Sequence, residues 1–304
     1  MVFRPSLDSM IVQVRMSAML TTLIPSATRH ASADGRATAM PQLTIWTADK
    51  PTDPIPALFD PEFYLLLQGA KRMTIGDRII DAAAGMSAVA SVGLPFTSQV
   101  VVATPSIPYL GIEWKIDPSV IADLLLQMPE EDDQLTGAIS MAQVDATVIE
   151  PLGRLLRLLD TPGEIPVLAV HYERELCFRL LQGPLGPRLR QIGRHDARFA
   201  QIKRAAEWIG RNALSPINVV RLAANVGMSV TSFHRHFKAV TGHTPLAYHH
   251  QLRLLEARRR LATGTMTVTA TAFDMGYASA SQFSREYKRA FGVAPIHHAV
   301  PMRA

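Results

Sequence analysis

Residues 217–242 read INVVRLAANVGMSVTSFHRHFKAVTG. Val220, Leu222, Ala223 and Val226 recur at helical spacing before Gly227, so a helix is expected to end in a turn there. Ser229 then stands where an N-cap belongs, its hydroxyl able to accept a backbone N–H of the next turn. Val230, Phe233 and Phe237 follow at i, i+3 and i+7, the inner stripe of a second helix. Helix, short glycine turn and capped helix make a helix-turn-helix. Opposite the phenylalanines lie Thr231, Ser232, His234, Arg235 and Lys238, a hydrogen-bonding and cationic face suited to the major groove of double-stranded DNA.

The plan recurs at residues 267–292, TVTATAFDMGYASASQFSREYKRAFG. Met275-Gly276-Tyr277 supplies the turn, Ser279 the cap, and Phe283, Tyr287 and Phe291 the inner stripe. Ser281, Gln282, Ser284, Arg285 and Lys288 form the outward set. Phe233 and Phe283 are equivalent, and both units close alike, in FKAVTG and YKRAFG. One such match is weak, but a tandem pair joined by a helix carrying Arg258-Arg259-Arg260 is a strong signal. Arg235 and Arg285 are the best candidates for bidentate reading of guanine, and Gln282 for adenine. At least one arginine of the 258–260 run is expected near phosphate.

Charge supports the same half. Residues 1–196 hold 16 Lys and Arg against 22 Asp and Glu, whereas residues 197–304 hold 15 against 4, giving net charges of −6 and +11. A modest total of +5 therefore hides a strongly basic C-terminal region whose counter-charge is a polyanion. The single cysteine, Cys177, excludes an intramolecular disulfide and a cysteine-rich zinc site, and its apolar neighbours Leu176 and Phe178 predict a buried thiol. No apolar run is long enough to span a bilayer, so a soluble, cytoplasmic protein without membrane partners is expected. Arg15 followed by Met16 to Pro25 imitates a signal peptide, but Ser17, Thr21 and Thr22 dilute the run, and Met10, Met16 and Met19 offer alternative starts.

Before residue 195 the pattern differs. From Leu43 to Trp114, short runs rich in Val, Ile and Thr alternate with breakers, and Gly69, Gly76-Asp77, Gly85 and Gly93 recur at the spacing of short strands and tight turns. This predicts a β-barrel or sandwich. Helices are expected at Pro118 to Leu126, Ile149 to Leu159 and Val167 to Leu181, then a basic Gly-Pro connector through Arg194. The expected organisation is α+β: a poorly defined segment 1–40, a β domain with flanking helices over 41–195, and an all-helical domain over 196–304.

The chain resembles the AraC-type transcriptional regulators through GMSVTSFHRHFKAVTGHTPLAY, LRLLEARRRLATG and MGYASASQFSREYKRAFGVAP, and their cupin-like N-terminal sensor domain through FYLLLQGAKRMTIGD, SVGLPFTSQVV and PGEIPVLAVHYERELCFRLLQGPLGPRLRQI. The resemblance implies a transcriptional regulator with double-stranded DNA as partner, RNA polymerase and a second copy of the chain as further candidates, and a small-molecule effector in the barrel. Packed core is the other reading of that interior. Two departures stand out: Thr269-Ala270-Thr271-Ala272 opens the second unit, with Ala272 and Phe273 left to supply its inner face, and Ile296-His297-His298-Ala299 replaces the polar tail usual in the family. The rival readings are a cupin-type enzyme merely tethered to DNA and an effector-independent architectural DNA binder. Between residues 40 and 165 there is no histidine, which argues against metal-cupin catalysis. No cofactor or metal is expected, and the pairs His249-His250 and His297-His298, whose side chains diverge by about 100° on a helix, are expected to be exposed or interfacial.

Overall fold

The computed structural model describes residues 17–35, 37–76, 78–129, 139–193, 197–264 and 266–299. Among these residues nine antiparallel strands make two sheets. One has the order β1 (Leu43–Ala48), β8 (Tyr109–Lys115), β3 (Glu62–Gln68), β6 (Met86–Ala90) and β9 (Ile139–Gln143), and the other has β2 (Ile55–Phe59), β7 (Leu94–Val102), β4 (Ala70–Ile75) and β5 (Arg78–Ala83). Gly69, Gly76 and Gly85 turn the chain between consecutive strands with φ of 85°, 57° and 89°, values that a side chain resists.

Period-two alternation divides β3 between two cores. Phe63, Leu65 and Leu67 face flanking helices, while Tyr64 and Leu66 face the second sheet. The space between the sheets holds Phe59, Met73, Phe96 and Val100, with the hydroxyls of Tyr64 and Tyr109 hydrogen-bonded to each other and the Lys71 ammonium 4.1 Å from the Tyr64 ring centre. These side chains are buried and pack the middle of that interior.

Against the outer face of the five-stranded sheet lie α1 (Ile24–His30), α2 (Pro118–Leu125), α3 (Ala146–Leu158), α4 (Ile165–Gln182) and α5 (Gly186–Gly193). Cys177 is buried among them, and burial pushes its thiol up to about 12. Three features depart from the sequence pattern. Leu20, Leu23 and Ala27 belong to this core, so the folded unit starts well before residue 41. Strand β9 pairs with β6 where only helices were expected. The supposed connector is helical and largely inside: Arg188 is 1% exposed, with Nη1 donating to Gln191 Oε1 at 2.5 Å and Nε to Ser140 Oγ at 3.2 Å. Pro187 sits in the first turn of that helix, where a missing N–H costs nothing.

The C-terminal half is helical: α6 (Ala197–Arg211), α7 (Val219–Asn225), α8 (Val230–Thr241), α9 (Pro245–Ala262), α10 (Val268–Asp274) and α11 (Ala280–Phe291). Its hydrophobic residues fall into two groups. Phe199, Ile202, Leu222, Phe233 and Phe237 join the inter-sheet core through Tyr248 and Leu252, whereas Leu254, Leu261, Phe283, Tyr287 and Phe291 form a smaller core of their own. One apolar cluster thus crosses the boundary drawn at residue 195, which itself lies outside the described residues.

Candidate nucleic-acid interface

Helices α7 and α8 form the first helix-turn-helix and α10 and α11 the second. Ser229 Oγ accepts from the Ser232 backbone N–H at 3.3 Å, and Ser279 Oγ from Gln282 N–H at 3.2 Å. Gly242 and Gly292 end the two helices at φ of 75° and 76°. From α7 to α10 the repeat offset is 49, and from α8 to α11 it is 50, because the second turn holds one residue more.

The inner stripes are buried. Phe233, Phe237, Phe283 and Tyr287 are 0% exposed, each with an aromatic neighbour at 5.3–5.4 Å. On the opposite face, Thr231, Arg235 and Lys238 are exposed and Ser232 and His234 half-buried; Ser281, Gln282, Arg285 and Lys288 are exposed and Ser284 half-buried. The two faces match in exposure except that Ser232 is half-buried where Gln282 is exposed, and Arg235 is equivalent to Arg285 and Lys238 to Lys288. Helix α9, capped by Thr244, joins the units, and its 18 residues span about 27 Å, short of one turn of B-DNA.

Several apolar expectations fail at the rim. Val220, Val230 and Phe273 are 62%, 37% and 57% exposed. In the second unit Thr271 and Ala272 take the inner face instead of Ala272 and Phe273, and the Thr271 hydroxyl is buried without a hydrogen-bond partner among the described residues. Helices of seven residues have only two turns, so a one-residue shift of the packed face decides which side chain is covered.

The arginine run has partners within the chain, with Arg259 still 66% exposed. Arg258 Nη1 donates to the Pro56 carbonyl at 3.1 Å, Arg259 Nε to Glu256 at 2.7 Å, and Arg260 Nε to Glu256 at 2.8 Å while its Nη1 reaches Asp274. The Arg259 hydrogen bonds hold Glu256 down at about 2, with burial opposing and Arg260 assisting. His249 is buried, His250 Nε2 lies 2.7 Å from Glu286, and His298 Nδ1 is 2.9 Å from the Tyr287 hydroxyl, so these three are interfacial. Among the described residues no group of three His, Cys, Asp or Glu is placed to hold a metal, and no helix is long and apolar enough to cross a membrane.

Sequence reasoning passed over Glu286, the one acid on α11. Its spacing of four from Gln282 was the available signal, and Gln282 Nε2 donates to it at 3.1 Å. It also passed over the seam between the halves. There Ile75, Ile80, Leu94, Ile139 and Val240 line a cleft of about 240 Å³ that Arg78 and Lys238 also border.

Comparison with known proteins adds identity to this geometry. The profile "AraC-type transcriptional regulator N-terminus" matches residues 39–188, and "Helix-turn-helix domain" matches residues 222–298. The transcriptional activator RhaS of Pectobacterium carotovorum is 36% identical over 88 residues, covering 29% of this chain and 32% of RhaS. The transcriptional regulator ExsA of Pseudomonas aeruginosa is 27% identical over 174 residues, covering 57% of this chain and 61% of ExsA. The chain therefore spans between about a third and three-fifths of these relatives. An apo form of a ToxT variant from Vibrio cholerae shares the fold, with a TM-score of 0.55 and 12% identity over 88% of this chain and all of that one. Another ToxT structure, with a TM-score of 0.53 and 12% identity over 83% of this chain and 92% of its own, holds an unsaturated fatty acid.

Proposed function

This chain belongs to the AraC-type transcriptional regulators, and on that footing we propose that it binds specific DNA sequences and regulates transcription in the cytoplasm, without a chemical step. The carrying observation is the pair of capped recognition helices with matching buried and exposed faces on the +11 half. Thr231, Ser232, His234, Arg235 and Lys238 would face one segment of major groove, and Ser281, Gln282, Ser284, Arg285 and Lys288 the next. The region up to about residue 195 serves as sensor or dimerisation domain and the remainder as reader, with RNA polymerase and a second copy of the chain as candidate partners.

The effector reading attaches to the cleft where Ile75 and Leu94 of the inter-sheet core meet Val240 of the helical half. An apolar cleft bordered by Arg78 and Lys238 suits a small amphipathic carboxylate, and Lys238 sits on a recognition helix. Such a ligand would bias how the first unit docks, since it can shift only an equilibrium between states it binds differently.

The test is selection of the full chain on a duplex library with randomised sequence, followed by titration of the enriched duplex at several salt concentrations. Enrichment of one sequence, with affinity falling steeply as salt rises, supports the reading. Absence of enrichment at low salt rejects it. Palmitoleic acid, added to the same titration, should raise the melting temperature and change duplex affinity together. A rise in melting temperature alone would make the cleft a site without regulatory effect.

A further inference from the structure

The second recognition helix carries a hydrogen-bonded chain built on a carboxylate that the first does not have. Gln282 Nε2 donates to Glu286 Oε1 at 3.1 Å, and Glu286 Oε2 lies 2.7 Å from His250 Nε2 on the linking helix α9. The Tyr277 hydroxyl, from the turn, sits 3.2 Å from the same nitrogen, and the Tyr277 ring stands edge-on to Phe283 at 5.2 Å. Burial works against ionisation of Glu286, but hydrogen bonds from His250, Gln282 and Tyr277 outweigh it and hold the carboxyl below the usual range. An ionised carboxylate only accepts, so His250 Nε2 must carry a proton and the Gln282 amide must turn its NH2 toward Glu286. In the first unit the equivalents of Gln282 and Glu286 are Ser232 and His236, so neither the amide nor the carboxylate has a counterpart there.

Consider what this leaves for a base. A free glutamine amide can flip end for end and offer either its oxygen or its nitrogen to a given atom. Gln282 has one N–H committed to Glu286, which fixes the flip and leaves Oε1 and the second N–H outward on an exposed side chain. One acceptor beside one donor complements the N6 amino group and N7 of adenine, whereas guanine presents two acceptors, O6 and N7. Resting on the DNA-binding reading above, we propose that Glu286, anchored by His250 and Tyr277, is a positioning residue that makes Gln282 select adenine over guanine at one base pair of the site.

The experiment uses the full chain and a duplex library with twenty randomised base pairs, roughly two helical turns. Wild type, Gln282→Ala, Glu286→Ala and Glu286→Gln are selected in parallel, and their melting temperatures are measured. The position at which Gln282→Ala loses its preference identifies the base pair read by Gln282. There, wild type should prefer adenine over guanine roughly tenfold or more, and Glu286→Ala should reduce that preference to about threefold or less with the other positions unchanged. Glu286→Gln should restore it, because its amide oxygen still accepts from Gln282 and the other histidine tautomer satisfies its NH2. Unchanged adenine preference in Glu286→Ala overturns the proposal, as does a Gln282→Ala variant that changes no position. Loss of a cytosine preference at a different position would make Glu286 a base contact instead and equally overturn it. If Glu286→Gln loses selectivity as fully as Glu286→Ala, charge and not amide orientation is responsible, and the proposal fails. A wild type that enriches nothing rejects DNA binding itself, an outcome distinct from all of these.

Discussion

Arg235 and Arg285 occupy equivalent exposed positions on separate helices, so truncating either to Ala should cost about 1–3 kcal/mol at its own base pair and leave the other's footprint intact. Equal losses on every sequence would show that both contact phosphate only. These residues were legible because an amphipathic 12-residue helix fixes which side faces out. Glu62 was not legible, since nothing in a strand's alternation announces a buried carboxyl. Burial pushes it up to about 9, with Glu113 and Asp60 adding to the rise and Lys71 and Lys115 opposing it. Between about pH 4.5, the ordinary glutamate value, and pH 9 the unfolded chain ionises this group while the folded one keeps its proton, so stability falls as pH rises through that window. Glu62→Gln lacks this loss. Its melting temperature should pull ahead of wild type progressively from about pH 5 to pH 9 and stay parallel above. A constant difference across that range would mean that Glu62 ionises normally.

At the scale of elements, the two serine caps admit a direct comparison. Ser229→Ala and Ser279→Ala each remove an acceptor from a first-turn N–H and should each cost about 1 kcal/mol in urea unfolding. A cost near zero at either position would show that water replaces the hydroxyl there. Capped, strongly amphipathic helices such as α8 and α11 could be read from sequence, because both their ends and their buried faces leave local signals. Helix α5 could not. Gly186 and Pro187 look like breakers, yet there they start a helix whose Arg188 and Arg190 are buried by contacts from distant parts of the chain, such as Ser140. Strand β9 was hidden for a related reason: four of its five residues are only half-buried and Gln143 is exposed, and its pairing with β6 is made across 49 to 57 positions of sequence. The arginine run shows the reverse case. Its charge was visible, but its partners Pro56, Glu256 and Asp274 depend on how α9 packs.

On the scale of the whole molecule, charge and periodicity separate a β half from a helical half, but docking between them is a tertiary matter. The Tyr248 hydroxyl donates to the Gly93 carbonyl at 2.8 Å, and His243 Nε2 lies 3.1 Å from the Pro95 carbonyl. The turn between β4 and β5 also comes close: a Cβ at Gly76 would lie 2.6 Å from the carbonyl oxygen of Gly242, the glycine that ends the first recognition helix. Gly76 therefore serves twice, adopting φ of 57° and letting the β domain reach that helix end. Gly85, at φ of 89°, makes a useful control, since a Cβ there would meet only Gln143 and Leu20 within the β half. Both Ala substitutions should carry the left-handed backbone cost of about 1–2 kcal/mol. Only Gly76→Ala should also push the halves apart. Amide hydrogen exchange should accordingly quicken at Val92 to Phe96 and at Gly242 to Tyr248 in Gly76→Ala but not in Gly85→Ala, with β3 and β8 protected in both. Equal exchange in the two variants would show that the seam tolerates the added methyl, and that docking of the first unit does not depend on this approach.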